Sequence, residues 1–471
     1  MVDVHIDLTG TRGHRDAIYR QLRAAILDGR IRPGEALPPT RELAQRLAVS
    51  RTTVSAAYDR LTAEGFLAGR VGAGTFVTAS ALTRPEPSAV SGVRPLPEWD
   101  ALPSPPAPFA PAPEFDFRPG VPDLTRFPFD TWRRLVTQRL RAGQADLMTY
   151  GDPQGLASLR AEIARHVGVS RDVRAGADQV VVTAGAQQTT DLVGRVLLRA
   201  GDVAAVEDPG YPPPRLVLAA RGVRVAPVPV DASGIVVSAI PAGTRLVYVT
   251  PSHQYPLGLS MSLERRLELL DWAERNDAVL VEDDYDTEFR YTGRPLEPLH
   301  SLDSRGRVVY VGSFSKVLSP ALRLGFLIAP PSLVPALVKA RYLTDWHAPN
   351  VEQAALAAFM AEGGFARHVR RMRKVYRARH ELLSGLLAAS FADFLTPLPS
   401  SAGLHLSATS SSDLSSLVRR ARHDGVRLYS LGDFAVGERR HGLVFGYGAV
   451  AAERIGPGLA RLRALADEGA A

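Results

Sequence analysis

Of the 56 Lys and Arg residues in this 471-residue chain, only Lys316, Lys339 and Lys374 are lysine. Lys316 sits in "GSFSKVLSPALRLGF", residues 312–326, flanked by small hydroxyl residues and followed seven positions on by Arg323. Arginine can replace lysine wherever only a surface charge is needed. It cannot form a Schiff base, because a guanidinium is always protonated and is a poor nucleophile. Lys316 is therefore a candidate for covalent chemistry with a carbonyl carbon, with plain surface charge as the alternative.

Other stretches hold side chains that such a lysine needs around it. In "VVVTAGAQQTTDLV" a strand passes through a small-residue turn into a helix that Ala186 and Gln187 open with free backbone N–H groups, suited to a phosphate. "VEDPGYPPPR" puts Tyr211 just past a strand end, where its ring can stack on a flat ligand. "VLVEDDYDTEF" puts two acids and Tyr285 at the end of a buried strand, while Ser313, Ser315 and Arg323 surround Lys316 with phosphate ligands. Singly, each has a plainer role: an ordinary strand-to-helix turn, core packing, or an acid cluster that binds a metal. Together they match what pyridoxal phosphate requires: a lysine to hold it as an imine, donors for its phosphate, an aromatic platform, and a carboxylate that keeps its pyridine nitrogen protonated so that the ring is an electron sink. On this reading Asp283 meets the pyridine nitrogen, Tyr285 the phenolic oxygen and Tyr211 the ring face.

The elements that must position these residues follow from the alternation over residues 114–471. Helical patterns alternate with short apolar runs such as "QVVVTAG", "VAAVEDPG", "RLVYVTP", "AVLVEDDY" and "VVYVGSFS". That rhythm predicts an α/β domain with a mostly parallel sheet covered by helices, whose ligands gather at the carboxyl ends of strands. The composition, 45% hydrophobic and 22% charged, is enough for a large core. The absence of cysteine excludes disulfides, thiolate zinc sites and cysteine nucleophiles. No apolar run approaches the ~20 residues that span a bilayer, and the opening "MVDVHIDLTG" has no apolar signal core. A cytoplasmic protein with no membrane partner is expected. Residues 79–113, dominated by Pro and Ala, read as a semi-extended interdomain linker.

Residues 1–78 read differently. "HRDAIYRQLRAAILDG" places Ile18, Leu22 and Ala25 or Ile26 on one helical face, with Gly29 as a stop. Thr40 is the expected cap of a short helix burying Leu43, Ala44 and Leu47, and Ser50 the cap of a third burying Val54, Tyr58 and Leu61. This is the pattern of a helix-turn-helix, and "FLAGRVGAGTFVT" adds two short strands around a glycine turn, a wing. The first turn of the third helix offers Arg51, Thr52 and Thr53 to phosphates or base edges. The net charge of +7 permits nucleic-acid binding. A three-helix interaction module without DNA stays open on the pattern alone.

Residues 17–78, through "AIYRQLRAAILDGRIRPGEALPPTRELAQRLAVSRTTVSAAYDRLTAEGFL" and "GRVGAGTFV", closely resemble the winged helix-turn-helix of GntR-type bacterial regulators. The resemblance implies that Arg41, Arg51, Thr52 and Thr53 contact an operator and that Gly72 brings the wing close to the DNA backbone. From about residue 114 to 460 the chain resembles fold-type I PLP enzymes of the aspartate aminotransferase superfamily, on "EDDYD" and "SFSK" with thirty-three residues from Asp283 to Lys316. There a tyrosine, here Tyr150 in "LMTYGDPQGLASLRAEIARHV", reaches the partner subunit's cofactor phosphate, which implies a homodimer. The combined architecture, with "TPSHQYPLG" and "EDDYDTEFRY", resembles MocR/GabR-type transcription regulators. It implies a PLP-dependent regulator whose dimer reads two half-sites and senses either PLP itself, as in the PdxR-like subgroup that controls vitamin B6 synthesis, or an amino acid or amine. An active aminotransferase with a DNA-binding appendage is the alternative from another class.

Two departures from the enzymes bear on that choice. The asparagine of their "NPTG" turn is Tyr255 here, with His253 and Gln254 as candidate substitutes. Where they clamp the substrate carboxylate with an arginine, "LVFGYG" places Val444. A bidentate arginine is the usual carboxylate clamp, so weak or absent amino-acid turnover is expected unless Arg215, Arg439 or Arg440 compensates.

Overall fold

The structure, a computed structural model, describes residues 6–8, 13–70, 72–78, 94–104, 113–291, 293, 297–438 and 440–468. The chain divides into two compact units, Met1–Leu96 and Pro97–Ala471. Most of the expected linker, 79–113, lies outside the described residues; its described piece holds one short 3-10 turn at Pro97–Trp99.

The first unit is three helices and a hairpin: α1 (His14–Leu27), α2 (Thr40–Arg46), α3 (Arg51–Ala63), β1 (Leu67–Arg70) and β2 (Gly74–Val77). The apolar periodicity of α1 and α3 does what it predicts: Ile18, Leu22, Ile26, Val54, Tyr58 and Leu61 meet Leu43 in one core. Gly29, with φ of 78°, lets the chain leave α1 through a conformation that costs other residues energy. One expected detail is corrected. Thr40 does not cap α2; Pro39 precedes the helix in an extended conformation and Thr40 is already its first helical residue. From there its hydroxyl makes no cap bond, and it accepts from Arg51 Nε at 3.4 Å instead. Ser50 caps α3 as expected, accepting from the Thr53 N–H at 3.1 Å.

The second unit contains β3 (Phe115–Asp116), β4 (Val180–Thr183), β5 (Val203–Asp208), β6 (Arg224–Asp231), β7 (Gly234–Ile235), β8 (Thr244–Val249), β9 (Val279–Asp284), β10 (Val308–Ser313) and β11 (Gly325–Ile328). It continues with β12 (Thr396–Pro397), β13 (His405–Thr409), β14 (Val426–Arg427), β15 (Tyr429–Ser430) and β16 (Gly442–Gly446). The main sheet runs β4-β11-β10-β9-β8-β5-β6-β7. Its middle, from β10 through β9, β8 and β5 to β6, is parallel, while β11 is antiparallel to both its neighbours. Every residue of β4 and β11 is buried, as expected for strands covered on both faces. Helices Ala186–Leu197 and Val334–Asp345 pack on one face and Leu263–Arg275 on the other. An antiparallel sheet, β12-β13-β16-β15, and the long helix Gly364–Ser390 complete the unit. Among the described residues no helix is long and apolar enough to cross a membrane.

Candidate functional site

Strand alternation decides the site's centre. Asp283 and Asp284 end β9, and successive side chains leave a strand on opposite faces. Asp284 is held by Arg171 Nε at 2.6 Å and the Tyr310 hydroxyl at 2.7 Å, a buried structural anchor. Asp283 takes the other direction. Its Oδ2 accepts a short hydrogen bond from Tyr248, while its buried Oδ1 makes none among the described residues. Burial pushes the Asp283 carboxyl up to about 7, with the Lys316 ammonium pulling the other way.

Lys316 lies in the loop after β10. Its Nζ donates to the Gly120 carbonyl at 2.8 Å. Gly120 has φ of 76°, a left-handed conformation that favours glycine, and a Cβ there would crowd that Nζ at 2.9 Å. Burial pulls the Lys316 amine below the ordinary lysine range, while Asp283 and then Asp286 raise it. A depressed amine is the nucleophile a carbonyl needs.

Around this pair the structure gathers most of the expected ligands. Tyr285 follows β9 directly, and its hydroxyl donates to the His253 carbonyl at 2.8 Å. Tyr211 sits at the start of helix Pro212–Ala219 with its ring edge-on to Tyr255, centroids 5.4 Å apart. Burial pushes its phenol up to about 12, and the charges of Asp283 and Arg323 both reach it. Where a phosphate is expected, Gly185 precedes helix Ala186–Leu197, so Ala186 and the exposed Gln187 supply its first N–H groups. Gly325 backs onto Gly185 so closely that a Cβ would stand 2.8 Å from it, and Gly325 pairs with Ser313 across β10 and β11. That contact puts Ser313 and the helix N-terminus at one end of the sheet. The Ser313 hydroxyl accepts from the Ser315 N–H at 3.1 Å, and Arg323 is exposed in the left-handed conformation. Tyr150 is different. It is 74% exposed, and its ring stacks on Trp346 at 4.3 Å rather than on the lysine site of its own chain.

The two departures acquire a structural form. Val444 is wholly buried in an apolar cluster with Tyr255, Leu257 and Phe434, against which Tyr211 and Tyr285 pack. Gln254 is no substitute for the missing asparagine, because its amide nitrogen already donates to the carbonyls of Pro209 at 2.9 Å and Tyr255 at 2.7 Å, and its oxygen accepts from the Leu257 N–H. Arg440 donates to the Val230 carbonyl at 2.6 Å, Arg215 is half-buried on its helix, and Arg439 lies outside the described residues. Sequence reasoning missed Gly120, Tyr248 and Glu207. Glu207 is buried, takes hydrogen bonds from the Thr250 hydroxyl at 2.6 Å and backbone at 3.2 Å, and is pushed up to about 7 by burial. Its signal was an acid ending the apolar run "VAAVED".

His253, Asp286 and His405 are buried with candidate ligand atoms within 4.8 Å of one another. Their atoms are engaged otherwise: His253 Nδ1 with Asp286 at 3.1 Å, and His405 Nε2 with the Pro256 carbonyl at 3.0 Å. Gly403 packs directly against the His253 ring. The trio is a hydrogen-bonded block rather than an open metal site.

In the first unit, Arg51 and Thr52 are exposed on the first turn of α3 and Thr53 is half-buried. The hydroxyls of Thr52 and Thr53 each lie 2.7 Å from Ser50 Oγ, so they help form the cap. Arg41 is exposed on α2, which the Arg51–Thr40 bond ties to α3. Gly72, with φ of 74°, turns the wing between β1 and β2.

Comparison with known proteins agrees with both halves. Residues 14–77 match the model for bacterial regulatory proteins of the gntR family, and residues 121–426 that for aminotransferase class I and II. The chain is 37% identical to the probable rhizopine catabolism regulatory protein MocR of Rhizobium meliloti, over 96% of this chain and 93% of that one. It is 35% identical to the pyridoxine biosynthesis transcriptional regulator PdxR of Corynebacterium glutamicum, over 92% and 91%. Among solved structures, a Pyrococcus horikoshii kynurenine aminotransferase in complex with PMP superposes with a TM-score of 0.70 at 26% identity, covering 75% of this chain and 90% of that one. The α-aminoadipate aminotransferase LysN of Thermus thermophilus, complexed with N-(5'-phosphopyridoxyl)-L-leucine, gives 0.68 at 29% identity, covering 74% and 91%.

Proposed function

The chain belongs to the MocR-type transcription regulators, in which a gntR-family DNA-binding domain precedes an aminotransferase domain that binds pyridoxal phosphate, and from that premise we propose that the cofactor is itself the signal. The observation that carries this is Val444. Where an aminotransferase clamps a carboxylate, this strand presents an apolar side chain buried against the site's tyrosines. A carboxylate brought against Val444 would lose its water to an apolar side chain instead of a guanidinium. The likeness to a regulator of pyridoxine biosynthesis supports the same reading, and with it control of vitamin B6 synthesis.

The residues fit the cofactor. The unpartnered Oδ1 of Asp283 suits a pyridine N–H, and Lys316 is the depressed amine that would hold the group covalently. Tyr285 would meet its phenolic oxygen and Tyr211 its ring face. Ala186, Gln187, Ser313, Ser315 and Arg323 would hold its phosphate, joined by Tyr150 from a second copy of the chain. When bound, the cofactor supplies an electron-poor ring and the carbonyl carbon that Lys316 engages. The exposed rings of Tyr150 and Tyr342, which pack on half-buried Trp346 at 4.3 Å and 4.8 Å, support a homodimer through that face. A dimer carries two reading heads, so its operator holds two half-sites at fixed spacing. The segment 79–113 is the tether between head and sensor. In each head Arg51, Arg41, Thr52 and Thr53 contact DNA, and Gly72 brings the wing to the backbone.

The test is the affinity of the purified protein for the DNA upstream of its own gene, with and without pyridoxal phosphate at one fixed salt concentration, because phosphate contacts make binding strongly salt-dependent. A clear change in affinity or complex size is the expected result. No change, with the cofactor's visible band present, makes it a fixed prosthetic group and turns the search to amino acids and amines.

A further inference from the structure

Tyr285 is held by more than its strand. Its hydroxyl oxygen lies 3.1 Å from His253 Nδ1 as well as 2.8 Å from the His253 carbonyl. The same Nδ1 lies 3.1 Å from each oxygen of Asp286. His253 and Asp286 are 2% and 1% exposed, so water does not compete for these bonds. A ring nitrogen that faces a carboxylate carries the proton, so Nδ1–H is shared between Asp286 and the Tyr285 oxygen. Tyr285 therefore accepts from the ring and keeps its own hydrogen to give. That hydrogen now rests on a carbonyl and can turn to a stronger acceptor nearby.

The surroundings leave this arrangement in place. Ser400 Oγ stands 3.4 Å from His253 Nε2. The His405 ring, 4.7 Å away, is kept neutral by burial, which drives it well below the usual histidine range. Tyr255 lies edge-on to Tyr285 at 6.1 Å, the charges of Lys316, Asp283, Asp284, Glu207 and Glu288 reach the group, and Tyr291, Tyr447 and His380, the last held below the usual histidine range by burial, also face it.

We propose that Asp286 and His253 are positioning residues that act through Tyr285. They fix the His253 tautomer, orient the Tyr285 hydroxyl and strengthen it as a donor to the cofactor's phenolic oxygen, replacing the asparagine that this chain lacks at Tyr255. The inference rests on the placement of Tyr285 proposed above. A donor to the phenolic oxygen stabilises its negative charge without the proton of the neighbouring lysine nitrogen. Weakening that donor makes the nitrogen hold its proton more tightly, so the pH midpoint of the bound cofactor's visible band rises.

The test is that midpoint in full-length protein loaded with pyridoxal phosphate. Tyr285→Phe should raise it by about one pH unit, a tenfold change in proton affinity. His253→Leu should raise it in the same direction, and the double variant should go no further than Tyr285→Phe alone. His253→Asn, which keeps an N–H near the Nδ1 position, should stay near the parent value. An unmoved midpoint in His253→Leu beside a moved one in Tyr285→Phe overturns the proposal, as do shifts that add in the double variant. An unmoved midpoint in Tyr285→Phe overturns the placement of Tyr285 and the proposal with it. Should the His253 variants fail to fold, Tyr285→Phe serves alone: in 15N-histidine-labelled protein the downfield His253 Nδ1 proton resonance should move, and an unmoved resonance overturns the proposal.

Discussion

Arg51 and Thr52 stand exposed on the first turn of a short helix, whereas Asp283, Glu207, His253 and Asp286 are almost wholly removed from water. The difference follows from what each unit does. Reading DNA needs charges and hydroxyls carried on a rigid surface, and the small core of Ile18, Leu22, Leu43 and Leu61 supplies the rigidity. Holding a reactive cofactor needs shifted proton affinities, and burial is their largest cause here: it lifts Asp283 and Glu207 to about 7 and depresses Lys316. Mutations should therefore act through chemistry in the second unit and through affinity in the first.

The largest effect should come from Lys316→Ala, which removes the amine proposed to hold the cofactor covalently. The visible band of the linked cofactor should vanish while the operator affinity of the cofactor-free protein is retained. A band that persists places the covalent link elsewhere.

Next in size is a pH effect confined to the second unit. Ordinary carboxyls titrate at 3.8 for Asp and 4.5 for Glu, whereas folded Asp283 and Glu207 titrate at about 7. Between those values the folded, cofactor-free protein binds more protons than the unfolded chain, so these groups make stability fall as pH rises from about 4 to about 7. Asp283→Asn should flatten that fall, read as the melting temperature of the cofactor-free protein across the window. An unchanged slope would place the buried charge elsewhere.

In the reading head the expected effects are smaller. Arg51→Ala should weaken specific operator binding by roughly 1–3 kcal/mol if the guanidinium reads a base. A loss that is uniform across DNA sequences makes it a phosphate contact. Ser50→Ala, which removes the α3 cap, should cost about 1 kcal/mol of stability in the first unit, measured by denaturant unfolding. It should also loosen Thr52 and Thr53, whose hydroxyls share that cap.

Much of this was legible because it is local. The apolar spacing of α1 and α3, the Ser50 cap, the acids ending β9 and the single lysine of "SFSK" are all patterns within a few residues. The miss at Thr40 was local too: the residue type suits a cap, but Pro39 takes the N-cap position and Thr40 is already helical. What the linear pattern did not contain are the partners. Tyr248 meets Asp283 across 35 positions because the parallel strands β8 and β9 bring their carboxyl ends together, and Gly120 receives Lys316 across 196 from a turn that lies outside that sheet.

The sequence by itself determined the two-part organisation, the helix-turn-helix core and the strand-and-helix alternation, and it singled out Lys316 and Asp283 as candidates, since residue type and short spacing carry those. The tertiary structure alone decided which groups are charged and which are spent. It turned Gln254 inward as a structural amide, joined His253 and Asp286 behind Tyr285, and closed Val444 into an apolar wall. Proton affinity and hydrogen-bond satisfaction depend on burial and on neighbours from distant strands, and folding creates both.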